Sequence, residues 1–151
     1  MEKIRSKVFE TNSSSCHSLV IDKNTSYTTM NLNDKGNIVI ATGQYGWGNS
    51  RLTTPEEKAA YLHTLFVMMK MFFSGNPKMS KNFQLCKNNF IEVIREQTHA
   101  NNVILVEDVD CYIDHQSCED IKDYDIFFSK KDIKNLVFGK SSYINISNDN
   151  E

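Results

Sequence analysis

Apolar and polar residues alternate over short distances in the first third of the chain, which is typical of strands joined by polar loops. Strands are predicted at residues 4–9, 18–22 and 38–41, and the polar segment 10–17 is predicted to be the loop between the first two. Residues 33–36 have the sequence Asn-Asp-Lys-Gly, which indicates a turn before the third strand. The N-terminal third is therefore predicted to form β-structure.

The middle of the chain has the pattern of two long helices. Thr54, Pro55 and Glu57 have the residue types and spacing of an N-cap, a first helical residue and a capping-box partner. Apolar residues then recur every three or four positions, which predicts one buried face on this helix. That face consists of Ala59, Leu62, Leu65, Phe66, Met69, Phe72 and Phe73. Lys58 and its acidic neighbours are predicted to be a solvated helix start.

A second helix is predicted to begin at a Ser80 cap and to end within residues 99–102. Its buried residues are predicted to be Phe83, Cys86, Phe90, Val93 and Ile94. Residues 103–106 are apolar and β-branched, which indicates a buried central strand. Residues 111–113 are predicted to be the hairpin partner of that strand.

The C-terminal part is predicted to hold a brief extended piece at 126–128, a short helix and a final strand at 143–146. Ser129 is the predicted N-cap of the short helix and Gly139 its C-cap. Strands and helices do not alternate regularly, so a doubly wound parallel sheet is excluded as the leading fold. The predicted fold class is α+β, with a mostly antiparallel sheet, two long helices packed on one face and a short C-terminal helix.

Length and composition indicate one folded domain over residues 1–151, because 40% of the residues are hydrophobic and 24% are charged. The formal net charge of −2 gives no overall attraction to nucleic acid, and the sequence has no arginine or lysine stripe and no helix-turn-helix pattern, so direct DNA binding is not expected. No apolar run approaches the roughly 20 residues of a membrane span. The N-terminus has no apolar signal segment, so a cytoplasmic protein with reduced cysteines is expected.

A serine-rich segment is the strongest candidate for a binding site. Small hydroxyl side chains and free backbone N–H groups between two strands can wrap an anion, and an adjacent His17 can supply charge or transfer a proton. The candidate ligand-binding residues here are Asn12, Ser13, Ser14, Ser15 and Ser18. The alternative is an ordinary turn that is polar because turns are polar.

Two further segments carry candidate residues. Asp114 and His115 can act in proton transfer, which keeps a hydrolytic reaction open. The same two residues with Cys118, Cys16 and His17 could bind zinc, but their spacing matches no zinc signature, so no metal is predicted and the cofactor stays unknown. Tyr45 and Trp47, in a glycine-rich segment without the lysine of a phosphate loop, can stack on a base or instead cover the core.

Acidic residues are concentrated in the segment 107–125, which holds eight carboxylates and one lysine. They are Glu107, Asp108, Asp110, Asp114, Glu119, Asp120, Asp123 and Asp125. Such a surface can imitate a phosphate backbone and bind a basic protein, whereas the alternative is a solvated hairpin and loop. The methionine cluster at 68–71 is interpreted as core packing or as a contact in a homo-oligomer.

The segment 8–18, VFETNSSSCHS, resembles the N-terminal VFETNSSSxHS signature of small proteins from phages and prophages of low-GC bacteria. The similarity extends to residues 46–48, 58–62, 113–117 and 148–150. No established activity comes with this resemblance. It implies an accessory protein made in an infected bacterial cytoplasm, where such proteins often counter host defence.

Two functions are consistent with these features. The leading hypothesis is a protein that binds a phosphorylated small molecule or nucleotide through the TNSSSCHS loop. Hydrolysis of the bound ligand is left open by this hypothesis. The alternative is an inhibitor, similar to anti-CRISPR proteins in size and acidity, that binds a host defence protein through the acidic segment.

Overall fold

The computed structural model describes residues 2–5, 15–46, 48–73, 77–113 and 122–148. The strands are β1 (Glu2–Arg5), β2 (Ser15–Ile21), β3 (Ile38–Ala41), β4 (Gln44–Tyr45), β5 (Ser50–Leu52), β6 (Val103–Val106), β7 (Tyr112–Ile113) and β8 (Tyr143–Asn148). The α-helices are α1 (Pro55–Phe73), α2 (Pro77–Thr98) and α3 (Lys130–Val137), and a 3₁₀ helix spans Lys122–Phe128. This arrangement confirms the predicted α+β class.

The described strands form three separate sheets. An antiparallel sheet has the order β1-β2-β8-β5, while β3 pairs with β6 and β4 pairs with β7, both in parallel. Parallel partners need a long crossover, and α1 and α2 lie between β3 and β6 in the chain. The predicted single, mostly antiparallel sheet is therefore replaced by one antiparallel sheet and two parallel pairs.

The start of α1 confirms the predicted capping box. The Thr54 hydroxyl accepts a hydrogen bond from the backbone N of Glu57 at 3.2 Å, and the Glu57 carboxylate accepts one from the backbone N of Thr54 at 3.2 Å. These reciprocal bonds satisfy two N–H groups that have no partner within the helix. Pro55 occupies the first helical position, where a missing N–H costs nothing.

Helix α1 lies in the centre of the fold and is buried on every side. Every residue from Lys58 to Met69 is buried except Ala60, which is half-buried. The helix contacts β3 and β7 as well as α2 and α3. Where one face of a single sheet was expected to hold both long helices, α1 packs mainly against β3 and β7, and α2 packs against β6. Polar residues such as His63 and Thr64 interrupt the apolar pattern but are buried with hydrogen-bond partners, the Ile40 and Ala60 carbonyls respectively.

Helix α2 begins three residues before the predicted Ser80 cap, at Pro77. The residues predicted to face inward do so, since Cys86, Phe90, Val93 and Ile94 are buried and Phe83 packs against the core. Its C-terminal end lies where predicted, at His99, which has a φ of 59°. In the described part of the chain, no helix has both the length and the apolar character to cross a membrane.

Strand β6 is not the predicted buried central strand. Its residues alternate in exposure, and Ile104 and Val106 are 41% and 45% exposed. Nor does β7 pair with it as a hairpin, because β7 lies beside β4. The turn between β6 and β7 is instead held by Thr42, whose hydroxyl accepts a hydrogen bond from the backbone N of Asp108 at 2.8 Å.

Four local predictions in the C-terminal part have different outcomes. Residues 126–128 belong to the 3₁₀ helix and are not extended. Ser129 caps α3 as predicted, because its hydroxyl accepts from the backbone N of Asp132 at 3.2 Å. The C-cap of α3 is Phe138, one residue before the predicted cap, Gly139. The final strand is confirmed and extends to Asn148.

Candidate functional site

The structure describes part of the predicted site. His17, Ser18 and Tyr45 have described side chains, and Ser15 is described as the first residue of β2. The predicted loop 10–17 therefore ends earlier than expected, because Ser15, Cys16 and His17 belong to the strand. The predicted residues outside the described part of the chain are Asn12, Ser13, Ser14, Trp47, Asp114 and His115.

Two predicted site residues, His17 and Tyr45, contact the ring of the same tyrosine, Tyr61. The His17 ring contacts the Tyr61 ring edge to face, with centroids 5.5 Å apart and planes at 78°. The Tyr45 ring contacts the same Tyr61 ring at 5.1 Å and 67°. These are the favoured geometries for aromatic pairs. Residues from β2, β4 and α1 are thus joined in one aromatic cluster, which we call the ring cluster.

Burial fixes the ring cluster in place. His17 is 2% exposed and Tyr61 is fully buried, whereas Tyr45 is half-buried and packs against the core. Tyr45 therefore covers the core, as its alternative interpretation expects, while part of its side chain stays accessible. Burial, and to a smaller extent the nearby Glu57 carboxylate, raises the pKa of the Tyr45 phenol. The phenol is neutral near pH 7 and can donate a hydrogen bond.

The strand pairing of β2 explains how His17 reaches the interior. All five residues from 17 to 21 are buried, so this part of β2 is covered on both faces, and His17 shares one of them with Leu19 and Ile21. His17 lies opposite Ile146 of β8, and Ile146 lies opposite Ser50 of β5. The first half of β2 is thereby fixed by the central pairing of the antiparallel sheet.

Described residues near Asp114 and Trp47 in the chain are linked to the ring cluster by strand pairing. Ile113 of β7 pairs with Tyr45, and it directly precedes Asp114 in the chain. Ser50 of β5 follows Trp47 by three residues and lies in line with His17 across β8. The strand pairings therefore link described residues beside three predicted segments, which lie far apart in sequence, to the region of the ring cluster.

Lys58 anchors α1 to the turn between α3 and β8. Its ammonium is fully buried and donates hydrogen bonds to the Gly139 and Ser142 carbonyls at 3.0 and 2.9 Å. Burial lowers the pKa of Lys58 to about 8, and the nearby Glu57 carboxylate opposes this only in part. The predicted solvated position of Lys58 is therefore wrong.

Sequence reasoning missed both Lys58 and Tyr61 as members of this region. They lie three residues apart on α1 and so share one side of the helix. Leu62 and Leu65 follow Lys58 by four and seven positions, which is helical spacing. This spacing could have indicated that Lys58 lies on the buried face of α1. Tyr61 carried no separate signal, because an aromatic residue within an apolar helix is typical of a core.

The described residues hold no group of three or more histidine, cysteine or carboxylate side chains that could bind a metal ion. Three of the candidate ligands, Asp114, His115 and Cys118, lie outside the described ranges. Cys86 is buried, and burial raises the pKa of its thiol to about 11. It therefore stays a thiol near pH 7 and acts as a small apolar residue in the core.

The described part of the acidic segment forms an exposed turn after β6. Glu107, Asp108 and Asp110 are exposed there, and Val109 between them is 96% exposed. Glu107 forms an ion pair with Lys70 at 3.4 Å. Asp125 is also exposed, in the 3₁₀ helix. Asp114, Glu119 and Asp120 lie outside the described residues, and Asp123 is described only in its backbone.

Comparison with known proteins identifies no family for this chain. No family model, no curated protein and no solved structure matches it.

Proposed function

We propose that this protein binds a phosphorylated small molecule of the nucleotide class at the end of the fold that holds the ring cluster. The contact of His17 and Tyr45 with the same Tyr61 ring is the observation that supports this proposal. These two residues are candidates from different segments, 28 positions apart in the chain. We further propose that the protein is a phage-type accessory factor that counters a bacterial defence by binding this ligand.

The proposed chemistry divides between the serine-rich segment and the aromatic residues. Ser13, Ser14 and Ser15 would donate hydroxyl and backbone hydrogen bonds to phosphate oxygens. A neutral Tyr45 phenol would donate to the ligand or cover its base. Asp114 and His115 are the groups that would transfer protons if the bound ligand is also hydrolysed.

Substitution of two candidate site residues tests this function. Ser14→Ala removes a proposed donor to the phosphate, and His17→Ala removes the ring that contacts Tyr61, so each is expected to weaken nucleotide binding at least tenfold. Binding would be measured by isothermal titration calorimetry with linear nucleoside mono-, di- and triphosphates, cyclic nucleotides and inorganic phosphate.

The matched control is Ser141→Ala, an exposed serine in the turn between α3 and β8. It is expected to bind like the wild type, and thermal unfolding of all variants separates lost binding from lost structure. Full affinity in both site variants, or no binding of any probe by the wild-type protein, would contradict the assignment.

A second candidate function is inhibition of a host defence protein through the acidic segment. The exposed Val109 side chain, with the exposed carboxylates Glu107, Asp108 and Asp110 beside it in the same turn, favours it. An apolar side chain next to several carboxylates is suited to a basic protein surface with an apolar pocket, such as a nucleic-acid channel. This surface shares no residue with the ring cluster.

Charge reversal distinguishes the two functions. A variant with Glu107→Lys, Asp108→Lys and Asp110→Lys is expected to lose inhibition of purified RNA-guided nucleases at least tenfold, while its nucleotide affinity stays at the wild-type level. Cleavage assays at two salt concentrations would measure this, because an electrostatic interface weakens as salt rises. Inhibition that survives the triple reversal would exclude the acidic turn as the interface.

A further inference from the structure

One edge of β3 faces an open groove of about 300 Å³. Five consecutive residues, 37–41, form one wall of the groove, so it follows the edge of the strand and not one of its faces. Residues 30–33 also line the groove, as do Glu56 and Ala60 of α1. The volume is at the lower end of the range for ligand-binding sites.

The backbone of β3 is paired on one side only. The backbone N of Ile38 donates to the Asn102 carbonyl at 3.0 Å, and that of Thr42 donates to the Val106 carbonyl at 3.1 Å. Alternate residues of a parallel strand direct their backbone groups to opposite edges. Val39 and Ala41 therefore direct their N–H and C=O groups away from β6. The strand pairings and backbone hydrogen bonds of the described residues provide no partner for these groups.

Nothing in the sequence of β3 protects this edge. Proteins commonly protect an exposed edge with lysine, proline or a bulge, because unpaired backbone groups attract another strand. β3 is Ile-Val-Ile-Ala and contains none of these residues. Val39 is 52% exposed, whereas Ile38 and Ile40 are buried and hold the strand in place.

We infer that the groove binds an extended peptide segment of a partner protein, which adds a strand to β3 at its open edge. A row of alternating N–H and C=O groups is complementary to another peptide backbone, and strand addition uses this match for affinity. Glu56 is the one ionisable side chain among the residues that line the groove. A segment that is uncharged except for one lysine or arginine near Glu56 is therefore the partner that best complements the charge of the groove.

The shape of the groove favours a single peptide strand over a second copy of this protein. The edge of β3 shares the groove with residues 30–33 and with Glu56 and Ala60 of α1. A second copy would bring the same surrounding residues with its own β3 edge, which makes the approach of two such edges less favourable than the entry of a peptide. A peptide segment without its own surrounding fold can enter.

This inference does not depend on nucleotide binding. The groove shares no residue with the ring cluster or with the acidic turn. Loss of peptide binding and loss of nucleotide binding can therefore be measured separately in the same protein.

Selection from a random peptide library on the full-length protein supplies the probe. The recovered peptides are expected to contain an extended, mainly uncharged core with a lysine or arginine. The Ala41→Pro variant removes one groove-facing N–H that has no role in the β3–β6 pairing, and it is expected to weaken peptide binding at least tenfold. Val39→Thr keeps the backbone and is expected to bind within about threefold of wild type.

Amide hydrogen exchange provides a readout that does not require a variant. The amides of Val39 and Ala41 are expected to exchange at least tenfold more slowly when the selected peptide is bound, while that of Ile40 changes little. Failure to select any peptide, binding by Ala41→Pro at wild-type affinity, or unchanged exchange at Val39 and Ala41 would each overturn the inference. Protection of these two amides that increases with protein concentration in the absence of peptide would also overturn the inference, because it would indicate that the protein self-associates through this edge.

Discussion

A rise in pH from 7.5 to 9.5 is expected to stabilise the wild-type protein by about 2 kcal/mol relative to its Lys58→Met variant. The reason is the pKa of Lys58, which burial lowers from 10.5 to about 8 in the folded protein. Between these two values the folded protein holds Lys58 as a neutral amine, whereas the unfolded chain holds it as an ammonium. Unfolding therefore takes up a proton in this interval.

The sign of the effect follows from that proton uptake. Below about pH 8 both states carry the proton, so Lys58 adds no pH dependence there. Above pH 8 a higher pH disfavours the unfolded state, and stability rises until the ordinary pKa of lysine is reached. The structure is suited to the neutral form, because an amine with two hydrogens can still donate to both the Gly139 and Ser142 carbonyls.

Urea unfolding of both proteins at several pH values measures this effect. Subtracting the free energy of unfolding of the variant from that of the wild type cancels the contributions of all other titrating groups, because both proteins contain these groups. At pH 7.5 the variant is expected to lie within about 2 kcal/mol of the wild type, since losing two hydrogen bonds is offset by removing a buried charge. Parallel stability curves from pH 7.5 to 9.5 would show that Lys58 titrates in the folded state as in the unfolded chain.

Features set by neighbouring residues were predictable from the sequence. The capping box at Thr54 and the cap at Ser129 depend on side chains three residues apart, so the residue types alone indicate them. The buried stripe of α2 follows from helical spacing in the same way. Each of these features needs no information about the rest of the fold.

Strand partners and the exposure of strands were not predictable, because distant residues decide them. Residues 103–106 have the composition of a buried strand, yet β6 pairs with β3 alone among the described strands and leaves Ile104 exposed. The segment after it lies close in sequence, but β7 pairs with β4, a two-residue strand that no sequence pattern indicated. Apolar composition therefore identified a strand but not its place in the fold.

The candidate site was predictable only as a set of unusual residue types. His17 and Tyr45 were chosen for their chemistry, and the structure brings them together through Tyr61. That third residue was not predicted, since its role depends on the packing of α1 against β2 and β4. The anchor at Lys58 was missed because a lysine beside two glutamates is usually solvated.

The anchor and the ring cluster are parts of one arrangement. α1 carries both Lys58 and Tyr61 on one side, and Lys58 binds the turn from which β8 begins. β8 in turn pairs with β2 and positions Ile146 opposite His17. A change at the turn between α3 and β8 is therefore expected to displace His17 relative to Tyr61.

Gly139→Ala is expected to destabilise the protein by about 3 kcal/mol or more, because this turn has no room for a side chain. A Cβ atom at Gly139 would overlap the backbone oxygen of Asn135 and lie 2.6 Å from Thr25 Cγ2 and 2.9 Å from Ser142 Oγ. The Asn135 oxygen belongs to α3 and cannot move without distorting the helix. The requirement for glycine is thus one of space, since Gly139 is not among the described residues with a positive φ.

Thermal unfolding tests this expectation, and Ser141→Ala is again the matched control, since its side chain is exposed in the same turn. For a chain of this length, 3 kcal/mol corresponds to a fall in Tm of about 6–12 °C, whereas the control is expected to stay within about 2 °C. The Gly139 carbonyl accepts from Lys58, so the variant should also lose part of the rise in stability above pH 8. A Gly139→Ala protein with the Tm and pH profile of the wild type would mean that the turn can relax.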